Sequence, residues 1–239
     1  MEQNQRTPQQ WAEKGILAFR SGEPAEAIQC FQEAIHLEPD LAYLHYNLAT
    51  IFAAAGNREE AEQAYWKTLQ LDPEYGEVFT KLGILLAETG KMEAAEDIFH
   101  KAAAYEPGEP APYYNLGNLY STMGRMNEAE QAYQKAIALD PTDPDHFYNL
   151  GNLYFDTNRL AEAEDCYLKT IGLAPDFFFA YGNLACLKSL QNEIEAGYDW
   201  LEKAIRKGQD PASTWQDADL ANLRKDRARF ESIVGRMTT

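Results

Sequence analysis

The sequence predicts an all-α fold in which one pair of antiparallel helices is repeated six times. The segment at 113–120, Tyr-Tyr-Asn-Leu-Gly-Asn-Leu-Tyr, returns 34 residues later at 147–154 as Phe-Tyr-Asn-Leu-Gly-Asn-Leu-Tyr. Prolines recur at the same step, at Pro39, Pro73, Pro107, Pro141 and Pro175. Small residues form a further row at Gly15, Ala49, Gly83, Gly117, Gly151 and Ala185. A fixed period of this length indicates a repeat architecture, in which each unit stacks on its neighbours.

Each repeat has the pattern of two helices joined by a tight turn. In the fourth repeat, Tyr113, Leu116, Gly117 and Tyr120 follow the i, i+3, i+4, i+7 spacing of one helix face. Glycine or asparagine follows each first helix, where a left-handed backbone ends the helix. Thr7 and Pro8 have the pattern of an N-cap followed by proline at the first helical position.

The period predicts the domain organisation. Residues 1–7 are expected to be a disordered N-terminal tail, and residues 212–239 a C-terminal capping helix or helices. The six repeats between them are expected at 8–41, 42–75, 76–109, 110–143, 144–177 and 178–211. The C-terminal segment carries apolar residues that we expect to cover the open face of the sixth repeat: Leu220, Leu223, Phe230, Ile233 and Val234. It also holds a basic cluster, for which docking onto an acidic neighbour is the alternative role: Arg224, Lys225, Arg227 and Arg229.

Composition argues against two classes of partner. Lysine and arginine number 21 against 38 aspartates and glutamates, a formal charge of −17, which repels nucleic acid and anionic membrane surfaces. The polar N-terminus lacks the apolar segment of a signal peptide, and no run of residues approaches the length of a membrane span. We therefore expect a cytoplasmic protein with no nucleic-acid or membrane partner.

Catalytic and metal-binding motifs do not emerge from the sequence. The four histidines occupy different repeat positions, without metal-ligand spacing to cysteine or carboxylate. There is no phosphate-binding glycine loop and no nucleophile elbow. We expect no enzyme activity, no cofactor and no metal.

The repeated residues resemble the tetratricopeptide repeat (TPR) family, whose pattern is W-x2-L-G-x2-Y, then A-x3-F, then A and P. The C-terminal segment is similar to the tails that close many bacterial arrays of this family. Lys14 and Ala18 depart from the pattern in the first repeat, His45 in the second, and Lys188 and Gln209 in the sixth. The resemblance implies a right-handed superhelical solenoid with a concave groove lined by the first helices.

The resemblance also implies which residues line that groove: Asn47, Lys81, Tyr114, Asn115, Asn118, Tyr148, Asn149, Asn152, Phe155, Phe179 and Asn183. An asparagine side chain can pair with peptide N–H and C=O groups together, and aromatic neighbours add apolar contact. The alternative is that the asparagines tie adjacent helices together. Groove positions over all six repeats hold five acidic residues and two basic ones, which favours a neutral to basic partner.

These observations favour a non-enzymatic adaptor that holds an extended peptide segment of a partner protein in the groove. One alternative is a self-associating scaffold, a homo-oligomer in which the basic tail of one chain meets the acidic body of the next. A further alternative is an RNA-binding helical repeat, against which the charge argues.

Overall fold

The computed structural model describes residues 6–235, and all regular elements in that range are helical. Twelve helices of 13 or 14 residues follow one another, two to each repeat: α1 (Pro8–Arg20), α2 (Pro24–Leu37), α3 (Ala42–Ala54), α4 (Arg58–Leu71), α5 (Gly76–Glu88), α6 (Met92–Tyr105), α7 (Pro110–Thr122), α8 (Met126–Leu139), α9 (Pro144–Asp156), α10 (Leu160–Leu173), α11 (Phe178–Leu190) and α12 (Ile194–Lys207). The predicted all-helical fold of paired helices is confirmed.

The chain divides into two compact halves, Met1–Leu119 and Tyr120–Thr239, with the division near the end of α7. In the first half, α1 pairs with α2, α3 with α4 and α5 with α6, and each pair packs on the next. In the second half, α9 pairs with α10 and α11 with α12, and the same stacking joins α8 to α9 and α10 to α11. Both halves therefore repeat one packing scheme.

The turn inside each pair depends on a residue with a left-handed backbone. Positive φ angles recur at the 34-residue step, at Gly22, Gly56, Gly90, Gly124, Asn158 and Asn192. Glycine adopts this conformation without steric cost, and asparagine tolerates it better than most other residues. The chain therefore reverses direction within about three residues in each repeat.

The two helices of a pair approach closely because a small residue faces an aromatic ring. A Cβ atom placed on Gly83 would lie 2.5 Å from the ring of Phe99, and one on Gly151 would lie 2.8 Å from the ring of Tyr167. Both rings are buried. The ring occupies the space that a side chain at the glycine position would fill.

Thr7 is the N-cap of α1, which confirms the prediction from the Thr7-Pro8 pattern. Residues 1–5 of the expected tail lie outside the described part of the chain. The Thr7 hydroxyl accepts a hydrogen bond from the backbone N–H of Gln10, while the Gln10 side chain accepts one from the Thr7 N–H. Arg6 lies 4.8 Å from the centre of the Trp11 ring. This capping box draws Thr7 into the helix.

The C-terminal segment packs against α11 and α12. It comprises α13 (Pro211–Gln216), two 3-10 turns (Ala218–Leu220 and Leu223–Lys225) and α14 (Arg227–Val234). Leu220, Leu223, Phe230 and Val234 are buried in one cluster with Tyr198 and other residues of α11 and α12. The hydroxyl of Tyr198 donates to the carbonyl of Leu223 over 2.5 Å.

Three arginines of the basic cluster bind within the chain. Arg224 donates to the backbone carbonyls of Thr214 and Asp217, and Arg227 pairs with Glu231, all within the C-terminal segment. Arg229 pairs with Glu195 over 2.7 Å and lies 4.1 Å from the centre of the Tyr198 ring. The Arg229 contacts join the C-terminal segment to α12.

Ion pairs connect consecutive repeats, and they account for one departure from the TPR pattern. Arg159 at the start of the second helix pairs with Glu130 of the repeat before. In the sixth repeat that position is Glu193, and Lys188 takes over the pairing, with Nζ 2.8 Å from Glu164 and 3.2 Å from Glu193. Burial lowers the pKa of Lys188, but its hydrogen bonds to the two carboxylates outweigh burial and raise it overall.

We predict that Gly151→Ala lowers the free energy of unfolding by about 1–3 kcal/mol, because the new methyl group overlaps the Tyr167 ring. The matched control is Gly172→Ala in the adjacent helix α10, where a Cβ meets nothing within 4 Å. That change should stabilise by roughly 0.5–1 kcal/mol through helix propensity. Urea unfolding followed by circular dichroism measures both, and equal effects of the two substitutions would contradict the packing argument.

We predict that Lys188→Met lowers the free energy of unfolding by about 1–2 kcal/mol, because it keeps the apolar stem and removes the charged hydrogen bonds. Because the folded pKa of Lys188 is raised, its contribution is complete below the unfolded pKa and is lost as pH rises through the folded value. The exposed Lys225→Met should change stability by less than about 0.5 kcal/mol. Urea titrations at neutral pH test the difference, and indistinguishable midpoints would refute it.

Candidate functional site

Two neighbouring first helices of the second half, α9 and α11, carry most of the predicted groove residues in that half. We define the α9–α11 face by Tyr148, Asn149, Asn152 and Phe155 on α9, and Phe179 and Asn183 on α11. Tyr148, Asn152 and Phe155 follow the i, i+4, i+7 spacing that places side chains on one side of a helix. Phe179 and Asn183 follow the same rule on α11.

Amide groups join the two helices in the middle of this face. The side-chain N–H of Asn183 donates to Asn152 Oδ1 over 2.8 Å, and the hydroxyl of Tyr167 donates to the same oxygen over 3.0 Å. Asn183 Nδ2 also lies 3.4 Å from the Tyr148 hydroxyl. The alternative role of the asparagines, tying adjacent helices together, is thus observed for this pair. Asn183 Oδ1 takes part in none of these bonds.

An aromatic patch lies at one end of the face. The rings of Tyr148 and Phe177 are 4.9 Å apart between centres, those of Phe177 and Phe179 6.2 Å, and those of Phe178 and Phe179 4.1 Å. Burial raises the pKa of the Tyr148 hydroxyl, against hydrogen bonds from Asn152 and Asn183 that lower it. The Phe179 side chain, in contrast, is 54% exposed. Tyr148 is thus packed inside the patch, whereas the Phe179 ring is open to solvent.

The C-terminal segment lies at the other end of the face. Phe155 packs against the cluster formed by the C-terminal segment, so the chain itself contacts one side of its ring. The thiol of Cys186 donates to Asp217 over 3.2 Å, and the side chain of Asn222 donates to the carbonyl of Ser189 over 2.7 Å. Both α11 residues follow Asn183 along the helix. The C-terminal segment therefore covers the last turns of α11.

Carboxylates gather where the C-terminal segment meets α9. Burial raises the pKa of Asp219, and the charges of Asp217 and Asp156 raise it further. The C-terminal segment thus adds the carboxyl groups of Asp217 and Asp219 to that of Asp156 on α9 at this end of the face.

A related aromatic group occurs in the first half. Tyr46 contacts Tyr65 and Tyr75, with ring centres 6.3 and 5.1 Å apart. Tyr46, Tyr65 and Tyr75 precede Tyr148, Tyr167 and Phe177 by the same 102 residues, three periods. Burial and the neighbouring Glu77 raise the pKa of Tyr46.

The remaining predicted groove residues are in the first half and have different environments. The side chain of Asn47 donates to the carbonyl of Tyr43 in its own helix over 2.7 Å. Lys81 is exposed on α5. Tyr114, Asn115 and Asn118 are half-buried on α7.

Sequence reasoning missed three contributors to the site. Phe177 lies at the last position of its repeat, outside the first helix, although its equivalence to Tyr75 was a usable signal. Asp217 and Asp219 lie beyond the repeats, where the period gives no position. Their placement follows from the fold of the C-terminal segment.

In residues 6–235, no group of three or more histidine, cysteine, aspartate or glutamate side chains could hold a metal ion. None of the helices described is both long and apolar enough to cross a membrane. Cys30, Cys166 and Cys186 are buried free thiols.

Comparison with known families identifies the repeat. The family model described as the cilia and flagella-associated protein 70 C-terminal domain, a TPR model, matches residues 1–223. The chain belongs to this TPR family. The resemblance seen in the sequence is confirmed, and a search of curated proteins gives no match.

Solved structures share the TPR fold at low sequence identity. The C-terminal part of a TPR protein from Cytophaga hutchinsonii has a TM-score of 0.75 and 18% identity, covering 92% of each chain. PilF from Pseudomonas aeruginosa has a TM-score of 0.72 and 16% identity, covering 92% of this chain and 96% of that one. YrrB has a TM-score of 0.61 and 22% identity, covering 75% and 93%.

We predict an energetic coupling of roughly 0.5–1.5 kcal/mol between Asn152 and Asn183, the usual contribution of one hydrogen bond. A double-mutant cycle of Asn152→Ala and Asn183→Ala, read by urea unfolding, measures it. The control cycle pairs Asn183→Ala with Asn127→Ala on the exposed surface of α8, and its effects should add. Additive effects in the Asn152 cycle as well would show that the amide pair does not hold the helices together.

Proposed function

We propose that the chain is a non-enzymatic adaptor that binds an extended, neutral to basic peptide segment of a partner protein on the α9–α11 face. The observation that carries the proposal is an exposed aromatic patch directly beside an amide pair. Interaction sites commonly combine a rigid aromatic anchor with a few placed polar groups. The face offers both within two adjacent helices.

Phe179 is the expected apolar anchor. Its ring is half exposed, yet it is held in place by Phe177 and Phe178. Covering about 80–100 Å² of this ring would contribute roughly 2 kcal/mol. A rigid ring loses little conformational entropy on binding, so most of that free energy should appear in the affinity.

The asparagines supply the polar contacts. The bonds between Asn152 and Asn183 leave Asn183 Oδ1 to accept from a peptide N–H group. Asn149 and Tyr148 stand beside them on α9. Each hydrogen bond gives about 1 kcal/mol, so with the aromatic contact we expect micromolar affinity and rapid exchange.

Charge favours a basic segment. Asp156, Asp217 and Asp219 make the C-terminal end of the face negative, and the chain as a whole carries −17. A lysine or arginine of the partner would reduce the repulsion among these carboxylates, whereas an acidic segment would increase it. The aromatic patch and the carboxylates are separated by about two turns of α9, or roughly 12 Å, which four residues of extended peptide span.

Fold relatives support binding in general terms. YrrB is described as a TPR protein with an unusual peptide-binding site, and Cut9 was solved as an anaphase-promoting complex hetero-tetramer with Hcn1. For the first half, we extend the same role to Asn47, Lys81, Tyr114, Asn115 and Asn118. The bond from Asn47 to its own helix occupies its side-chain N–H group in part.

We predict that Phe179→Ala weakens peptide binding about 10- to 30-fold, the equivalent of 1.4–2 kcal/mol of lost apolar contact. The probe is a peptide selected on the wild-type chain from a library of random 12-residue sequences, and its affinity is measured by fluorescence anisotropy. Leu168→Ala is the matched control, because Leu168 is 41% exposed on α10. We expect the selected peptides to be enriched in lysine or arginine.

Two outcomes would contradict the proposal. One is a set of peptides that bind Phe179→Ala and the wild type equally, which would place the binding surface elsewhere. The other is enrichment of acidic peptides, which the carboxylates at this face would repel. Circular dichroism of each variant separates lost binding from lost folding.

A further inference from the structure

The exposed face of α1 corresponds to the surface through which a later first helix contacts the repeat before it. Leu17 is 66% exposed, more than any other large apolar side chain in residues 6–235. Its equivalents one or more periods later are at most 5% exposed: Ile51, Leu85, Leu153 and Leu187. These positions are buried because they pack against the repeat before them: Leu44 and Ile51, for example, lie in one cluster with residues of α1 and α2.

The same face of α1 carries a self-complementary set of charges. Gln10, Glu13, Leu17 and Arg20 are all exposed and follow the i, i+3, i+7, i+10 spacing of one helix stripe. Neither Glu13 nor Arg20 forms an ion pair within residues 6–235. The stripe has an acidic residue on one side of Leu17 and a basic residue on the other. An antiparallel copy of the same stripe would therefore place opposite charges next to each other.

We infer that two copies of this chain associate through their α1 helices, antiparallel and about a two-fold axis. Glu13 and Arg20 lie at equal distances from the midpoint between Ile16 and Leu17. Two-fold packing at that midpoint sets Leu17 against its counterpart and places Glu13 opposite Arg20 of the partner subunit. Each charged residue lies about 5 Å along the helix from the axis.

The C-terminal end favours this closed arrangement over a filament. Head-to-tail stacking would need an open apolar face on α11 and α12, and the C-terminal segment covers that face. An isologous contact uses one surface twice and stops at the dimer. The inferred contact is independent of the α9–α11 face and of the basic residues of the C-terminal segment.

The dimer should be weak. One 13-residue helix is about 20 Å long, so a contact of one helix with one helix is smaller than the roughly 1,600 Å² of a standard interface. The chain's charge of −17 adds repulsion between the copies. We therefore expect dissociation in the micromolar range or above.

Sedimentation equilibrium at physiological ionic strength tests the inference on the full chain, from about 5 to about 500 μM, a range that brackets such a dissociation constant. We expect the mass to rise from that of a monomer towards twice that value. Leu17→Glu should raise the dissociation constant at least about 10-fold, because it places two carboxylates at the axis. Leu168→Glu, at a comparably exposed leucine of α10, should leave it unchanged.

A charge exchange distinguishes this contact from any other. Glu13→Arg and Arg20→Glu should each weaken association about 10-fold, and the double variant should restore it to within about 3-fold of the wild type. The residues are exposed, and circular dichroism confirms that each variant folds. A monomer throughout the range, a dimer insensitive to Leu17→Glu, or a double variant as weak as the single ones would overturn the inference.

Discussion

The close contact between a small residue of a first helix and an aromatic ring of the second, as between Gly83 and Phe99, is the constraint on which the structure depends. Where Gly151 faces Tyr167, the missing side chain lets the ring fill the space between the helices. The same ring reaches further, because its hydroxyl donates to Asn152 on the α9–α11 face. The packing of the repeat and the geometry of the candidate site are therefore set by one side chain.

The sequence predicts the helices well because the period constrains each of them several times over. Six turns with a left-handed residue and a row of six small residues leave few alternative folds. At Thr7 the sequence supports both a polar tail and an N-cap, since both begin with the same residue types. The capping bonds with Gln10 decide between them.

The candidate site is less predictable from sequence. An asparagine can bond to a peptide or to another asparagine with the same groups, so residue type alone left both roles open for Asn152 and Asn183. In the structure, Asn183 Nδ2 lies 2.8 Å from Asn152 Oδ1, so the two asparagines do join adjacent helices. Asn183 Oδ1 stays outside this bond. Asp217 and Asp219 reach the site through the fold of a segment without repeat register.

The pairing of Lys188 has a consequence for how this array can evolve. In the fifth repeat the cation that contacts the preceding repeat comes from the turn, at Arg159, whereas in the sixth it comes from the first helix. The carboxylate at the former cation position, Glu193, depends on Lys188 for its partner. The order of repeats therefore matters at the sixth: a repeat with a turn cation placed after it would meet Tyr198, which occupies the position of Glu130 and Glu164 in the two repeats before.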